Sequence, residues 1–366
     1  MRVALVSPYA LSVYGGVQEQ TLAMSRELSR RGHVVLVVAP DVNDRTRYDT
    51  PAEVQRFGHV LALPANGSRA PLTLSALAIR RAWFALDHFT PDVIHFHEPF
   101  APFLGWGALR MHATAAVGTF HRAGDGPALR LTKPLLKLLA KDLDATAAVS
   151  DSAASTIHDV TGLTPEVLFN GFEMGRFTSS PRERGDETVL VTLGRLEERK
   201  GTAHAIHAVR AHNARRNDRW RLVVLGDGPE RRALETLSAR DEMIVFAGAV
   251  SDDQKRGWLR RANALVAPAV RGESFGLILL EAMASETTVV ASDIGGYREA
   301  AGGHATLFAP GDEVALEQAI DNALANETPD RIAGARAHAA RWSMSALMDA
   351  YEVLYATARQ RFETAG

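Results

Sequence analysis

The sequence predicts an α/β chain built from two Rossmann-like, doubly wound parallel sheets, and three observations carry that expectation. Short runs rich in β-branched and aliphatic residues recur along the chain, most of them followed by stretches with helical spacing. The rhythm restarts after the polar stretch "TSSPRERGDE". The chain has 366 residues, more than one hydrophobic core usually serves. Strand and helix alternating in both halves is the pattern of a parallel sheet covered on both faces.

In order, the first half offers "RVALVSP", "HVVLVVAP", "VLALP", "DVIHFHEP", "TAAVGTFH", "TAAVS" and "EVLFN" as strands. Between the first two, Val17, Thr21, Met24 and Leu28 fall on one helical face at i, i+4, i+7 and i+11. The second half offers "TVLVTLG", "RLVVLGDG", "MIVFAG", "ALVAP", "TTVVASD" and "ATLFAP". Ligands of such sheets lie beyond the carboxyl ends of the strands. With two sheets, the expected site is a cleft between them.

Composition narrows the function classes. A net charge of −2, with 46% hydrophobic and 23% charged residues, is that of an ordinary globular protein, and no polybasic block argues for nucleic acid. The absence of cysteine excludes disulfides, thiol catalysis and Cys-based metal sites. The opening "MRVALVSP" has an apolar run too short for a secretory or membrane-spanning segment, so a cytoplasmic protein is expected.

The stretch "RGESFGLILLEAMA" runs from a polar loop into a helix that is apolar on every side, with Glu281 inside it. A buried carboxylate costs several kcal/mol, roughly 2 to 7, unless it is paired. No basic residue stands at helical spacing from it, so its partner is either distant in sequence or a ligand. Glu273 stands eight positions upstream, and the "SFG" between them offers amides where the helix begins. In "GRLEERKG", Arg195 follows a strand and Lys200 precedes a helix, and two cations beside helix-start amides suit a diphosphate. His121 ends "TAAVGTF", and Gly15 and Gly16 lie between the first strand and its helix, which places all three at the expected site. The D-x-D at Asp142 to Asp144 sits at a helix end and reads as solvated surface rather than a metal site, and no metal ligands are assigned.

These residues resemble a known family. Glu273, "SFG" and Glu281 form the E-x7-E motif of retaining glycosyltransferases of family 4, and "GRLEERKG", "GGV", "TFH" and "GDGPER" follow its other landmarks in order. Within the family the chain is similar to actinobacterial phosphatidylinositol mannosyltransferases through "SPY", "GGVQ", "HEP", "ANGS", "GTFH" and "GESFG". The resemblance implies a GT-B fold: an acceptor-binding domain of residues 1–171 plus 345–366, a nucleotide-sugar-binding domain of residues 172–344, and a last helix that crosses back to the first domain. It also implies catalytic roles for His121, Arg195, Lys200 and Glu273. Donor binding would fall to Gly16, Val250, Asp252, Lys255, Phe275, Gly276, Leu277, Ile278 and Glu281, with the base read by "AVSDDQK" and the ribose held by Glu281. Acceptor binding would fall to Tyr9, Gln18, Asn66, Ser68 and Arg69.

The activity so implied is transfer of mannose from GDP-mannose, with retention, to a phosphoinositide-type or other lipid-linked polar acceptor. No tightly bound cofactor is implied, although Mg2+ could accompany the diphosphate. Neither Glu273 nor Glu281 is expected opposite the leaving group, so front-side transfer is favoured over a carboxylate nucleophile. Ser12, Arg122 and Gly126 depart from the inositol-binding pattern, which keeps a UDP-sugar donor with a soluble acceptor as the alternative. A remote alternative is an NAD oxidoreductase, since "RLVVLGDGPERRAL" opens like a dinucleotide fingerprint. Arg231 stands at its third glycine position, and no acid ends a clean strand some ~20 residues on.

The acceptor class leads to the membrane. In "LRLTKPLLKLLAKDL", Arg130, Lys133, Lys137 and Lys141 share one narrow face, with Leu131, Leu135, Leu138 and Leu139 turned away from it. Such a helix suits an anionic surface, which would make the protein peripheral on the inner face of the plasma membrane. A second helix, "LAIRRAWFAL", brings Arg80 and Arg81 beside Trp83 and Phe84, with Asp87 opposing.

Overall fold

The computed structural model describes residues 1–12, 16–41, 48–65, 68–73, 75–102, 106, 109, 114–121, 127–178, 185–271, 273 and 275–365. Asn66, Arg122, Gly126 and most of "TSSPRERGDE" lie outside them, as do the side chains of Ser68, Arg69 and Arg130. The chain divides into two compact units, Met1–Phe172 with Met344–Gly366, and Glu173–Ser343.

The first unit runs β1 (Arg2–Val6), α1 (Gly16–Arg30), β2 (Val34–Asp41), β3 (Glu53–Ala65), β4 (Ser68–Thr73), α2 (Ala76–Phe89), β5 (Val93–His97), β6 (Ala115–Phe120), α3 (Pro127–Leu139), β7 (Ala145–Ala148), α4 (Asp151–Thr161) and β8 (Glu166–Val167). Its sheet has the order β4-β3-β2-β1-β5-β6-β7-β8. The strands are apolar on both faces because both faces are covered. Val3 and Leu5 pack with Met24 and Leu28 of α1, while Ala4 and Val6 pack with Ala82 and Leu86 of α2.

One strand departs from the expected parallel sheet. β4 pairs antiparallel with β3, with Ala65 opposite Ser68. Asn66 and Gly67 fall between those two residues, and an Asn-Gly pair between extended runs is a strong hairpin signal. A hairpin edge needs no crossover helix, so the strand-then-helix rhythm passed over it.

The last helix of the chain, α13 in the numbering used below, spans Met344–Ala365. It belongs to the first unit, as the fold class implied. Leu347, Met348, Tyr351, Leu354 and Tyr355 are buried in the same cluster as Val3 and Leu5. Arg31 ties it down by donating to the Ser345 carbonyl at 2.6 Å and to Glu352 at 3.1 Å, where His33 also makes a 2.9 Å contact.

The second unit runs α5 (Gly175–Thr178), β9 (Thr188–Leu193), α6 (Thr202–Arg215), β10 (Trp220–Leu225), α7 (Arg231–Leu237), β11 (Ile244–Gly248), α8 (Asp252–Arg261), β12 (Ala264–Ala267), α9 (Leu277–Ala284), β13 (Thr288–Ser292), α10 (Gly295–Ala301), β14 (Thr306–Phe308), α11 (Glu313–Ala325) and α12 (Pro329–Ala340). Its strands are parallel in the order β11-β10-β9-β12-β13-β14. Both sheets therefore reverse direction at their first strand, between β1 and β5 and between β9 and β12, and such switch points are where ligands collect in doubly wound folds.

Two readings of surface segments are corrected. Asp144 is not simply solvated: its Oδ2 accepts the Ala116 amide at 2.8 Å and so anchors the start of β6. On α3, Leu136 and Leu139 are buried, whereas Leu131, Leu135 and Leu138 are 85%, 37% and 47% exposed. The leucines thus split between core and solvent, because the buried face of this helix is centred on Leu136 and Leu139.

Candidate active site

In the first unit the switch point is lined by imidazoles. His95 and His97 project from the same face of β5, since side chains two apart in a strand share a face, and their rings stack at 4.6 Å. His95 is fully satisfied: Nδ1 meets the Tyr355 hydroxyl at 2.8 Å and Nε2 meets Thr119 Oγ1 at 2.7 Å. Thr119 in turn meets the Tyr351 hydroxyl at 2.8 Å. His121, just past the end of β6, sets its Nε2 3.1 Å from His97 Nδ1.

Burial keeps these rings neutral. It lowers His95 to about 3 and His121 to about 4, and it holds His97 well below its ordinary value, with the neighbouring imidazoles adding to the effect on His95 and His97. His97 Nε2 is buried without a hydrogen-bond partner, so a proton there would be a stranded donor. The favoured assignment puts the His97 proton on Nδ1, donating to His121 Nε2, which leaves the His121 proton on Nδ1.

Glu98 holds this arrangement from the backbone. It sits at φ 47°, in the left-handed region, directly after β5. Its amide donates to the Thr119 carbonyl at 2.8 Å, and its buried Oε1 accepts the His121 amide at 2.6 Å. A non-glycine residue in that region costs on the order of 1–3 kcal/mol and persists where the surroundings impose it. Glu98, His95 and His97, part of the stretch "HFHEP", carry no role in the family pattern above. The available signal was H-x-H on a buried strand followed by an acid.

Around this cluster, Ser7 Oγ accepts the Tyr9 amide at 3.2 Å, and the buried Gln18 amide reaches the Ala10 carbonyl at 3.5 Å. Gly16 opens α1, and a Cβ added there would meet nothing within 4 Å.

In the second unit the switch point carries paired ions. Lys200 ends a 3-10 turn, Glu198–Lys200, immediately before α6. Its Nζ lies 2.5 Å from Glu273 Oε1, which also accepts from Arg199 at 3.0 Å. The loops after β9 and β12 are therefore joined by one carboxylate held between two cations. Arg199 was passed over in the sequence as part of a charged loop. Arg195 is not in this cluster: its side chain is 69% exposed and pairs with Glu197 at 3.0 Å.

Glu281 has a distant protein partner. Lys255, 26 residues upstream on α8, donates to its Oε1 at 2.8 Å, and both side chains are largely buried. Lys255 also lies 3.6 Å from Asp252 and over the Phe177 ring. Asp252 follows the capping residue Ser251, and Val250 packs beside the buried Leu225 cluster. The residues expected to read base and ribose, Lys255 and Glu281, are thus in contact.

Gly276 is required where it stands. It caps α9 at φ 92°, and a Cβ would come within 2.6 Å of the Tyr297 ring. With no side chain capping this helix start, the amides of Leu277 and Ile278 are left to other acceptors. Phe275 is buried against Trp342. The glycines of "GDGPER" serve backbone packing: a Cβ on Gly226 or Gly228 would strike the Gly194 or Leu196 carbonyl. Arg231 pairs with Asp227 and Glu235.

Comparisons with known proteins agree with this geometry. Residues 187–326 match the family described as glycosyl transferases group 1, and residues 14–176 match glycosyltransferase family 4. The chain is 32% identical to a phosphatidyl-myo-inositol mannosyltransferase of Propionibacterium freudenreichii subsp. shermanii, over 100% of this chain and 97% of that one. It is 33% identical to the protein so described in Mycobacterium leprae, over 97% of each. Among solved structures, a glycosyltransferase from Rickettsia africae ESF-5 superposes with a TM-score of 0.76 at 17% identity, covering 98% of both chains, which shows the shared fold. With these likenesses running from end to end, the chain belongs to glycosyltransferase family 4 and has the GT-B fold.

Proposed function

We propose that this glycosyltransferase moves mannose from GDP-mannose, with retention, to a phosphoinositide-type or other lipid-linked polar acceptor. The observation that carries the reading is the likeness, over 97% of the relatives' length, to two phosphatidyl-myo-inositol mannosyltransferases. In this reading the second unit binds the donor. Lys200 and Arg195, with the uncapped start of α9, take the diphosphate. Glu281 takes the ribose and Glu273 the hydroxyls of the sugar. The first unit binds the acceptor, and His121 offers its Nδ1 proton to the transferred sugar.

The ion pairing supports front-side transfer. A carboxylate held by Lys200 and Arg199 is a poor nucleophile, which argues against a covalent intermediate on Glu273. The bond from the anomeric carbon to the phosphate breaks with its electron pair going to the diphosphate. The acceptor oxygen bonds to that carbon on the same face, and its proton passes to the departing phosphate oxygen.

No helix among the described residues is long and apolar enough to cross a membrane. The membrane reading rests on α3 and the 3-10 turn after it, Ala140–Asp142, where exposed Leu131, Leu135 and Leu138 accompany Lys133, Lys137 and Lys141. Each cation is worth about 1 kcal/mol at an anionic surface. Sedimentation with anionic vesicles should fall when the three lysines become Gln.

A panel of GDP-mannose, GDP-glucose, UDP-glucose and UDP-N-acetylglucosamine, with phosphatidylinositol or free inositol as acceptor, tests the reading. Turnover of GDP-mannose onto the lipid, with the α-linkage retained by NMR, is expected. Turnover of a UDP-sugar alone would replace the donor while leaving the family intact.

A further inference from the structure

Away from both switch points, the second unit brings a histidine and two carboxylates together between α6 and α11. His212, in the last turn of α6, is fully buried and its ring stacks on Trp220 at 3.5 Å and 11°. Its Nε2 lies 2.8 Å from the Asp218 carbonyl oxygen. A carbonyl can only accept, so a proton is on Nε2, and Nδ1 is the ring atom open to a ligand, as a lone pair in the Nε2–H tautomer.

That lone pair faces other acceptors. Nδ1 has no hydrogen-bond partner, and it points at Glu317 Oε1 at 3.7 Å and Asp321 Oδ1 at 4.0 Å. Glu317 and Asp321 stand at i and i+4 on α11 and so share its face. Arg215 and Arg216 pair with the outer oxygens of these carboxylates, which leaves Glu317 Oε1 and Asp321 Oδ1 beside Nδ1 as three acceptor atoms with no donor between them among the described residues. At 3.7 and 4.0 Å neither carboxylate oxygen makes a hydrogen bond with Nδ1, so the space between the three atoms is open to a ligand.

We propose that His212 Nδ1, Glu317 and Asp321 bind one divalent cation of the Zn2+ class. Metal-to-ligand bonds of about 2.0–2.2 Å place two ligand atoms about 3.4 Å apart in a tetrahedron, so the two imidazole–carboxylate distances close with shifts of roughly 0.3–0.6 Å and the two carboxylate oxygens with a rotamer adjustment of up to about 1.4 Å. The three ligand atoms lie within 4.8 Å of one another. An imidazole with two carboxylates favours Zn2+, Co2+ or Ni2+ over Mg2+ or Ca2+. The Nε2–H bond to a backbone carbonyl is the support that metal-bound histidines usually have. Arg215 and Arg216 hold the outer oxygens of Glu317 and Asp321. Both arginines are more than half exposed, so they temper the affinity without filling the inner face. The cation ties the end of α6, the helix that Lys200 precedes, to α11.

The test uses the untagged full chain, stripped with chelator and titrated with ZnCl2 and with CoCl2. One equivalent should bind, with a rise in Tm and a change in Trp220 fluorescence, since that ring stacks on the ligand. Asp321→Asn, at a partly exposed position where folding should be kept, is expected to weaken binding by about tenfold or more, and His212→Gln to abolish it. A wild-type chain that takes up no Zn2+ below the millimolar range, or an Asp321→Asn chain that binds as tightly as wild type, overturns the proposal. In the latter case the ion sits elsewhere on the chain.

Discussion

Acid should loosen the first unit, because three neutral imidazoles are buried in it. The folded values of His95 and His121 are about 3 and about 4, and His97 lies well below its ordinary value. In the unfolded chain each titrates near 6.5. Between these limits the unfolded state binds more protons, so the stabilisation is intact above about pH 6.5 and drains as pH falls toward the folded values. From pH 7 to pH 5 His95 and His121 each give up about 1.9 kcal/mol, roughly 4 kcal/mol together, and His97 adds to the loss in the same direction. That approaches the low end of a domain's whole margin of about 5–15 kcal/mol. Urea midpoints measured from pH 7 to 5, with hydrogen exchange across residues 93–121, should show the loss. His121→Asn removes one of the three groups, so its loss should be smaller by about 1.9 kcal/mol. Protection of β5 and β6 unchanged down to pH 5, or stability lines for wild type and His121→Asn that run parallel, would refute the reasoning.

The site geometry gives three more expectations. Glu98→Ala should lower transfer by roughly 10- to 100-fold, since a charge-assisted hydrogen bond of about 1.5–3 kcal/mol positions His121, while Glu98→Gln keeps an acceptor and should stay within a few-fold; equal loss in both would assign the effect to charge instead. Lys200→Ala should reduce kcat/KM by ~100-fold or more, and a loss under about threefold in steady-state assays would remove Lys200 from the diphosphate site. Gly276→Ala should destabilise the second unit by about 2–5 kcal/mol, from a left-handed backbone of ~1–2 kcal/mol and overpacking of ~1–3 kcal/mol against Tyr297. A loss of only ~1–2 kcal/mol would show that Tyr297 moves aside at little cost, and an unchanged urea midpoint would refute both contributions.

The fold was legible because both sheets are buried on both faces, which makes each strand a short apolar run that stands out from its neighbours. The hairpin of β3 and β4 was not, since it breaks the strand-then-helix rhythm on which the reading relied. The site was legible where glycine, lysine and carboxylate cluster in short motifs, as at Lys200 and Glu273. It was opaque where the partners come from different elements. Lys255 meets Glu281 from another helix, and Arg199 looked like one more charge in a solvated loop until its contact with Glu273 was seen. His95 and His97 were opaque for a different reason. A histidine in a buried strand is usually a satisfied structural residue, and only the neighbouring Thr119, Tyr351 and His121 show that here it belongs to a chain of rings.

The two switch points share a strand order but handle charge in opposite ways, and the difference has a consequence for donor binding. The first is lined by neutral imidazoles. The second is lined by cations that already have carboxylate partners: Lys200 and Arg199 on Glu273, Lys255 on Glu281, and Arg195 on Glu197. In the proposed reading a diphosphate arriving there competes with Glu273 for Lys200, so binding would be an exchange of one anion for another rather than the filling of an empty positive site. The exchange would free the Glu273 carboxylate to accept hydroxyls of the sugar, and so would couple diphosphate capture to sugar positioning. Glu273→Gln removes the competitor but also the strong acceptor. The nucleoside diphosphate alone should then bind several-fold more tightly, while transfer from the intact sugar nucleotide slows. Calorimetry with the diphosphate, beside turnover of the donor, separates the two effects; weaker diphosphate binding by Glu273→Gln would mean that the carboxylate holds Lys200 in place for the ligand instead of competing with it.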